Sequence, residues 1–207
     1  MTTPHQLPWM QTFSGQQFWP LLPMGEIKFI DIAHALSMIC RYGGHTKSFY
    51  SVAQHCVLAS HMVPAEHAKW ALLHDAAEAY LGDIVRPIKK SFGFYVPDRD
   101  FMVTYEHCEA NLLSVIGERF GLEWPLPVEV IEEVDLRLLM SERAALMNAP
   151  PAPWGVFQDL EPDALASLQS RTVPILPLSQ TEAKSLFCSR AVQLGLVDMH
   201  EAFPLPC

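Results

Sequence analysis

Residues 70–90 read WALLHDAAEAYLGDIVRPIKK, and the rest of the chain is best read outward from them. Leu72, Leu73, Ala76, Ala77 and Leu81 draw this segment into a core. His74, Asp75 and Glu78 sit inside the same apolar run. His74 and Glu78 are four apart and so share one face of a helix, with Asp75 about 100° further round. A buried carboxylate is costly without a partner, and a metal ion is one partner that suits adjacent His and Asp. Asp83, Arg86, Lys89 and Lys90 follow at once. The stretch therefore holds acid, base and anion-binding side chains close together.

The chain of 207 residues is sized for one domain, and 50% apolar residues suffice for a sizeable core. Lys and Arg number 14 against 23 Asp and Glu, a formal charge of −9. That balance argues against broad binding to nucleic acid or to an acidic membrane. A small anion is still admissible where local cations or a metal reverse the field. The five cysteines, Cys40, Cys56, Cys108, Cys188 and Cys207, are odd in number and form no C-x-x-C pair. They read as reduced thiols of a cytoplasmic protein. No apolar run is long enough to cross a bilayer, and MTTPHQLPWM lacks the pattern of a signal peptide.

Residues 1–28, with Pro4, Pro8, Pro20, Pro23, Gly15 and Gly25, read as irregular, anchored by Trp9, Phe13, Phe18 and Trp19. Asp31 is placed to cap a helix over about 32–41, ended by Gly43-Gly44. Ser51 and Gln54 have the spacing of a capping box before a helix over about 52–62. Pro64 opens a helix running to about Tyr80, and Gly82 stops it. Pro87 and Pro97 keep 82–97 irregular. Further helices are predicted over about 98–120, 128–147 and 181–195. The second carries Val130, Ile131, Val134, Leu138 and Leu139 inward, and the third Ala183, Leu186, Phe187 and Val192. The linker NAPPAPW and mixed signals over 155–180 lie between them. Strand signals are nearly absent, so the fold class is all-α.

Four polar, metal-competent residues lie on or beside these apolar faces: His55, His74, Asp75 and Asp135. Asp135 interrupts the stripe VDLRLL. It reads either as a ligand or as the partner of Arg137 or Arg143, or as a cap on a neighbouring helix. His55 alone reads equally as a core histidine, and an isolated His-Asp dipeptide is common. Their placement on three separate helices is more telling than any one of them. His61 and His67 lie near turns, and His107 falls on a solvated face. His34 and His45 flank Arg41 at the edge of a possible site. H-E-x-x-H, G-x-S-x-G, P-loop and G-x-G-x-x-G motifs are all absent, so nucleophilic Ser or Cys catalysis has no support.

The order Arg41-Tyr42, Tyr50-Ser-Val-Ala-Gln-His55, Leu73-His74-Asp75-Ala-Ala-Glu78, Gly82-Asp83, Pro87-Ile-Lys89 and Asp135 resembles the HD-domain superfamily of metal-dependent phosphohydrolases. It is most similar to the compact branch of bacterial 5′-deoxynucleotidases and phage-type deoxynucleoside triphosphohydrolases. The resemblance runs from the Phe-Trp segment before Ile30 to the helix over 183–196. It implies a single-domain HD-fold helical bundle over 1–207. Its metal-binding core would span about 30–147, and a connection with a closing helix about 148–207.

The resemblance also implies roles. His55, His74, Asp75 and Asp135 would hold one divalent ion. Glu78 and Asp83 would handle the proton of an attacking water, and Arg41 and Lys89 would contact phosphate. Tyr42, where the family often has Trp, would lie beside the sugar or base. Gln54 stands where Glu is common. Two His and two carboxylates with open positions suit Mn²⁺, Co²⁺, Mg²⁺ or Fe²⁺ better than a closed structural zinc. The implied activity is hydrolysis of deoxynucleoside monophosphates. One alternative is a dNTP triphosphohydrolase releasing tripolyphosphate. Others are a non-catalytic nucleotide-binding or signalling module, and a hydrolase of an alarmone or cyclic dinucleotide. The expected partners are a nucleotide substrate and further copies of the chain in a homo-oligomer, with no nucleic acid and no membrane.

Overall fold

The computed structural model describes residues 8–96, 100–158 and 160–204. Pro4, Pro97, Cys207 and the predicted helix start at about 98 lie outside these. The described chain is mostly helical. Its longer helices are α1 (Phe29–Met38), α2 (Val52–Met62), α6 (Tyr105–Arg119), α7 (Val128–Leu146) and α10 (Gln180–Gln193). Between them run the shorter α3 (Ala68–Leu73), α4 (Glu78–Leu81), α5 (Arg86–Lys89), α8 (Gly155–Gln158) and α9 (Pro162–Ser170). The last, α11 (Met199–Ala202), follows α10. No described helix is long and apolar enough to cross a membrane.

The centre of the bundle is α2, against which α1, α3, α7 and α10 all pack. Its apolar face, Val52, Ala53 and Cys56, is buried along with His55. The Ser51 hydroxyl caps it, accepting from the Gln54 N–H at 3.1 Å. The capping box is not closed, however. The Gln54 amide instead donates to the Leu176 carbonyl at 2.7 Å and accepts from the Leu178 N–H at 3.0 Å. Gln54 thus ties the strap before α10 to the central helix. The closed box lies at Ser179–Glu182, at the start of α10.

Four local expectations change. First, α1 starts at Phe29, and Asp31 lies in its first turn rather than at its cap. The carboxylate there accepts from the N–H and hydroxyl of Ser14, at 2.6 and 2.9 Å, which pins the N-terminal segment to α1. Trp9 and Phe13 of that segment are exposed, and Phe18 alone of its predicted anchors is fully buried. Second, the all-α reading misses two antiparallel hairpins. They pair β1 (Met10–Gln11) with β2 (Gln17–Phe18), and β3 (Gly93–Val96) with β4 (Phe101–Thr104). The second hairpin, rich in aromatic and β-branched residues, takes the place of the predicted start of α6. Third, Leu186 on α10 faces outward, half-exposed.

Fourth, the helix expected to run unbroken to Tyr80 tightens after Leu73. The N–H groups of Ala76, Glu78, Ala79 and Tyr80 bond the carbonyls three residues back, at 2.9, 2.9, 3.3 and 3.0 Å. That is 3₁₀ geometry, in which residues i and i+3 eclipse. Gly82, at φ +81°, then ends α4 in a conformation that suits glycine.

Trp70, on α3 just before this tightened segment, is held against α6. Its ring lies over Gly117 of α6, and its indole N–H donates to the Glu123 carbonyl at 2.9 Å. A Cβ on Gly117 would sit 2.6 Å from the Trp70 ring. Gly117→Ala should therefore lower stability by about 1–3 kcal/mol, the scale of overpacking, despite the better helix propensity of Ala. Thermal or urea unfolding checks this; an unchanged or higher midpoint would show that the ring yields freely.

Candidate functional site

The site begins at a strained turn. An antiparallel bridge joins Cys40 to Ser51, with the Arg41 N–H on the Tyr50 carbonyl at 2.9 Å. The closed loop forces Tyr42 to φ 61°, ψ 27°, a left-handed conformation that is rare for a bulky residue. Gly43 and Gly44 continue it at φ 60° and 80°. What holds Tyr42 there is its hydroxyl, which donates to Glu142 Oε2 at 2.6 Å.

Glu142 is the hub of the site, although its side chain is 0% exposed. Besides Tyr42, it accepts from the Tyr50 hydroxyl at 2.9 Å, His55 Nδ1 at 2.7 Å and Arg41 Nε at 3.2 Å. Burial works to raise its pKa, but Arg41 and His55 prevail and hold it at about 2. Neither Glu142 nor Tyr50 was among the sequence-predicted site residues. A signal existed for Glu142. The inward positions Ile131, Val134 and Leu138 of α7 extend by one more step of four onto residue 142. It also lies two turns after Asp135, on the same side of the helix.

Each histidine is oriented by one ring nitrogen. His55 gives Nδ1 to Glu142, and His74 gives Nδ1 to the Ala71 carbonyl at 2.8 Å. These partners assign both Nδ1 protons, so both Nε2 lone pairs point to one focus, 3.2 Å apart. Asp135 Oδ1 and Asp75 Oδ2 lie 3.3 and 3.6 Å from His55 Nε2. Asp75 Oδ2 is also 3.3 Å from His74 Nε2. The four predicted ligands thus meet in space. Ligands about 2.1 Å from one ion are separated by roughly 3–3.5 Å; the separations of 3.2 and 3.3 Å fall in that range, and the 3.6 Å between Asp75 and His55 lies just beyond it. A histidine that donates its second nitrogen to a carboxylate or carbonyl is the usual arrangement of a metal ligand. The focus calls for positive charge. Burial and Arg41 act to lower the His55 pKa, yet Glu142 and Asp135 hold it up at about 9, so a cation at the focus takes the place of a proton on Nε2. His55, His74 and Asp135 form one group able to hold a metal ion.

Asp135 takes neither Arg137 nor Arg143 as its partner. It accepts from Arg86 at 2.6 Å and lies 3.7 Å from Arg41 Nη2, while Arg41 Nη1 reaches Asp75 at 3.3 Å. Arg143 instead stacks over Trp154 and Phe157. Lys89 is partnered too, donating to Glu109 at 2.6 Å over the Tyr105 ring.

Above the focus opens a cavity of about 540 Å³. Asp75, Glu78 and Asp83 line its acidic floor, with Arg41, Arg86 and Lys89 beside them. The pairing of His74 with Glu78 on one face is corrected here. In the 3₁₀ turn it is Asp75 and Glu78, three apart, that face the cavity together, while His74 turns toward His55. Burial, with Asp75 and Asp83 nearby, pushes Glu78 well above the usual carboxylate range, and its Oε2 has no hydrogen-bond partner. Asp83 is also raised, by burial first. The opposite wall is apolar and aromatic, with Leu139, Met147 and Val156 beside the rings of Tyr42 and Trp154, 6.2 Å apart. Of the two flanking histidines, His45 lines the cavity and His34 stacks on Phe13 elsewhere.

Together these features define a mostly helical protein with a His–carboxylate centre able to hold a metal ion at the floor of a charged pocket. Its sequence is 36% identical to the uncharacterized protein YfdR of Escherichia coli K12 over 182 residues, spanning 87% of this chain and 92% of that protein. The chain belongs to the family of YfdR. It is also 33% identical to an uncharacterized protein of Rhodobacter capsulatus over 132 residues, spanning 59% of this chain and 63% of the other. No protein-family model matches the chain.

Because Glu142 orients His55, Glu142→Gln should weaken Mn²⁺ binding by roughly 10–100-fold, the scale for removing a partner of a metal-bound histidine. Calorimetric titration of the folded variant checks this; unchanged affinity would show that Glu142 only fills space.

Proposed function

We propose that this protein is an HD-type, metal-dependent phosphohydrolase that converts deoxynucleoside monophosphates to deoxynucleoside and phosphate. The observation that carries the reading is the meeting of two imidazole lone pairs and two carboxylates at one focus, with both imidazoles oriented from behind. The motif order supports the phosphohydrolase class. The cavity volume lies in the range of small-molecule sites.

His55, His74, Asp75 and Asp135 would hold one divalent ion, of the Mn²⁺, Co²⁺, Mg²⁺ or Fe²⁺ kind. When bound, it polarises a phosphoryl oxygen and acidifies a water molecule. The chain's own residues do the rest. Arg41 offers a planar fork to phosphate, and Arg86 and Lys89 add charge on the same side of the cavity. To bind phosphate, these three must exchange their carboxylate partners for it, at least in part. Glu78 and Asp83 form the proton-handling pair. One accepts the proton of the attacking water as its oxygen bonds to phosphorus. As the P–O5′ bond breaks, a proton returns to the leaving 5′ oxygen. Tyr42 and Trp154 present aromatic faces to the sugar and base.

A panel of dNMPs and dNTPs with each of the four ions tests the reading. Inorganic phosphate from dAMP supports it. Tripolyphosphate from dATP would replace it with the triphosphohydrolase reading, and binding without turnover would leave a nucleotide-binding module. Glu78→Gln should keep its metal while turnover falls by roughly 10² or more; near-normal turnover would remove Glu78 from the mechanism.

A further inference from the structure

The centre contains a second donor set, in which Cys56 is the one member that the proposed hydrolysis does not use. Cys56 follows His55 on α2, and its side chain is wholly buried. Its Sγ, a ring nitrogen of His74 and a carboxylate oxygen of Asp75 all lie within 4.8 Å of one another. The same limit encloses His55, His74 and Asp135. His74 belongs to both sets, and the Asp75 carboxylate touches both. We propose that Cys56, His74 and Asp75 form a site for a thiophilic divalent cation, Zn²⁺ or Cd²⁺, whose binding withdraws His74 from the nitrogen–oxygen set and so excludes the hard ion.

Imidazole and carboxylate oxygens alone favour Mg²⁺ or Mn²⁺ only by geometry and supply, whereas a thiolate selects soft and borderline ions. Donors around a tetrahedral ion with bonds of about 2.0–2.3 Å stand roughly 3.5 Å apart. His74 Nε2 and Asp75 Oδ2 already stand 3.3 Å apart, and Cys56 Sγ lies within 4.8 Å of a donor atom of each. As the sulfur–metal bond forms, the thiol proton leaves to solvent and no electron is transferred. A buried cysteine usually acts as a small apolar filler. Cys108 and Cys188 fit that description, since among the described residues neither joins a histidine and a carboxylate in such a group. Cys56 does.

The test uses the full chain, reduced, titrated with Cd²⁺ while bound Mn²⁺ is followed by electron paramagnetic resonance. The wild type should show thiolate-to-cadmium charge-transfer absorption together with release of Mn²⁺. In Cys56→Ser the absorption should vanish, and the same release should need roughly tenfold or more Cd²⁺. Cd²⁺ binding to the wild type without the absorption, or absorption that persists in the variant, overturns the proposal. So does Mn²⁺ release at the same Cd²⁺ concentration in both proteins. If the variant does not fold by circular dichroism, X-ray absorption at the cadmium edge of the wild type decides. Sulfur in the shell supports the site, and nitrogen and oxygen alone overturn it. The exclusion of Mn²⁺ rests on the ion set of the proposed function, but the cadmium absorption and the cadmium-edge spectrum require neither Mn²⁺ nor turnover, so failure of this site and failure of the phosphohydrolase reading are distinguished.

Discussion

The site depends on one contact, the 2.7 Å bond between His55 Nδ1 and the buried carboxylate of Glu142. It fixes which nitrogen of His55 faces the focus. The same carboxylate accepts from two tyrosines and from Arg41. A lone carboxylate at that depth would cost several kcal/mol, so each of these donors is also a condition for burying it. Arg41 extends the network to Asp75 and Asp135. Stability and site geometry are therefore coupled here: a change that leaves Glu142 unpaired also releases His55 and the strained Tyr42.

The second constraint is backbone geometry after Leu73. Had the helix continued in α geometry, His74 and Glu78 would have stacked on one face. The tightening to i→i+3 bonding separates them. His74 goes to His55, while Asp75 and Glu78 go to the cavity. One short segment thereby contributes both to the group able to hold a metal ion and to the acidic lining of the cavity. Trp70, just before this segment, is held by Gly117 and by the Glu123 carbonyl.

The cations of the pocket are held in advance rather than free. Arg41, Arg86 and Lys89 each rest on a carboxylate. In an acidic chain this keeps the three cations in place and limits the field they present to solvent. It also means that an anionic ligand competes with internal carboxylates, which favours ligands carrying enough charge to displace them.

Much of the fold was legible in the sequence because helix signals are local. The bounds of α2 and α7 follow from apolar periodicity and from Ser51, Pro127 and the proline-rich linker. The second hairpin had a local signal in its aromatic and β-branched residues, whereas the 3₁₀ turn answers to tertiary contacts that override local preference. The cluster His55, His74, Asp75 and Asp135 was legible by residue type. Chemistry-bearing side chains on apolar faces must be buried, and burial of charge demands partners. What the chain by itself determined, then, is that these residues go inside together. Which carboxylate orients which imidazole, and that Asp135 takes Arg86 and Arg41, was decided only by the tertiary structure. The reason is physical: His55 and Glu142 are 87 residues apart, and a hydrogen bond depends on where α2 and α7 cross rather than on anything within either helix.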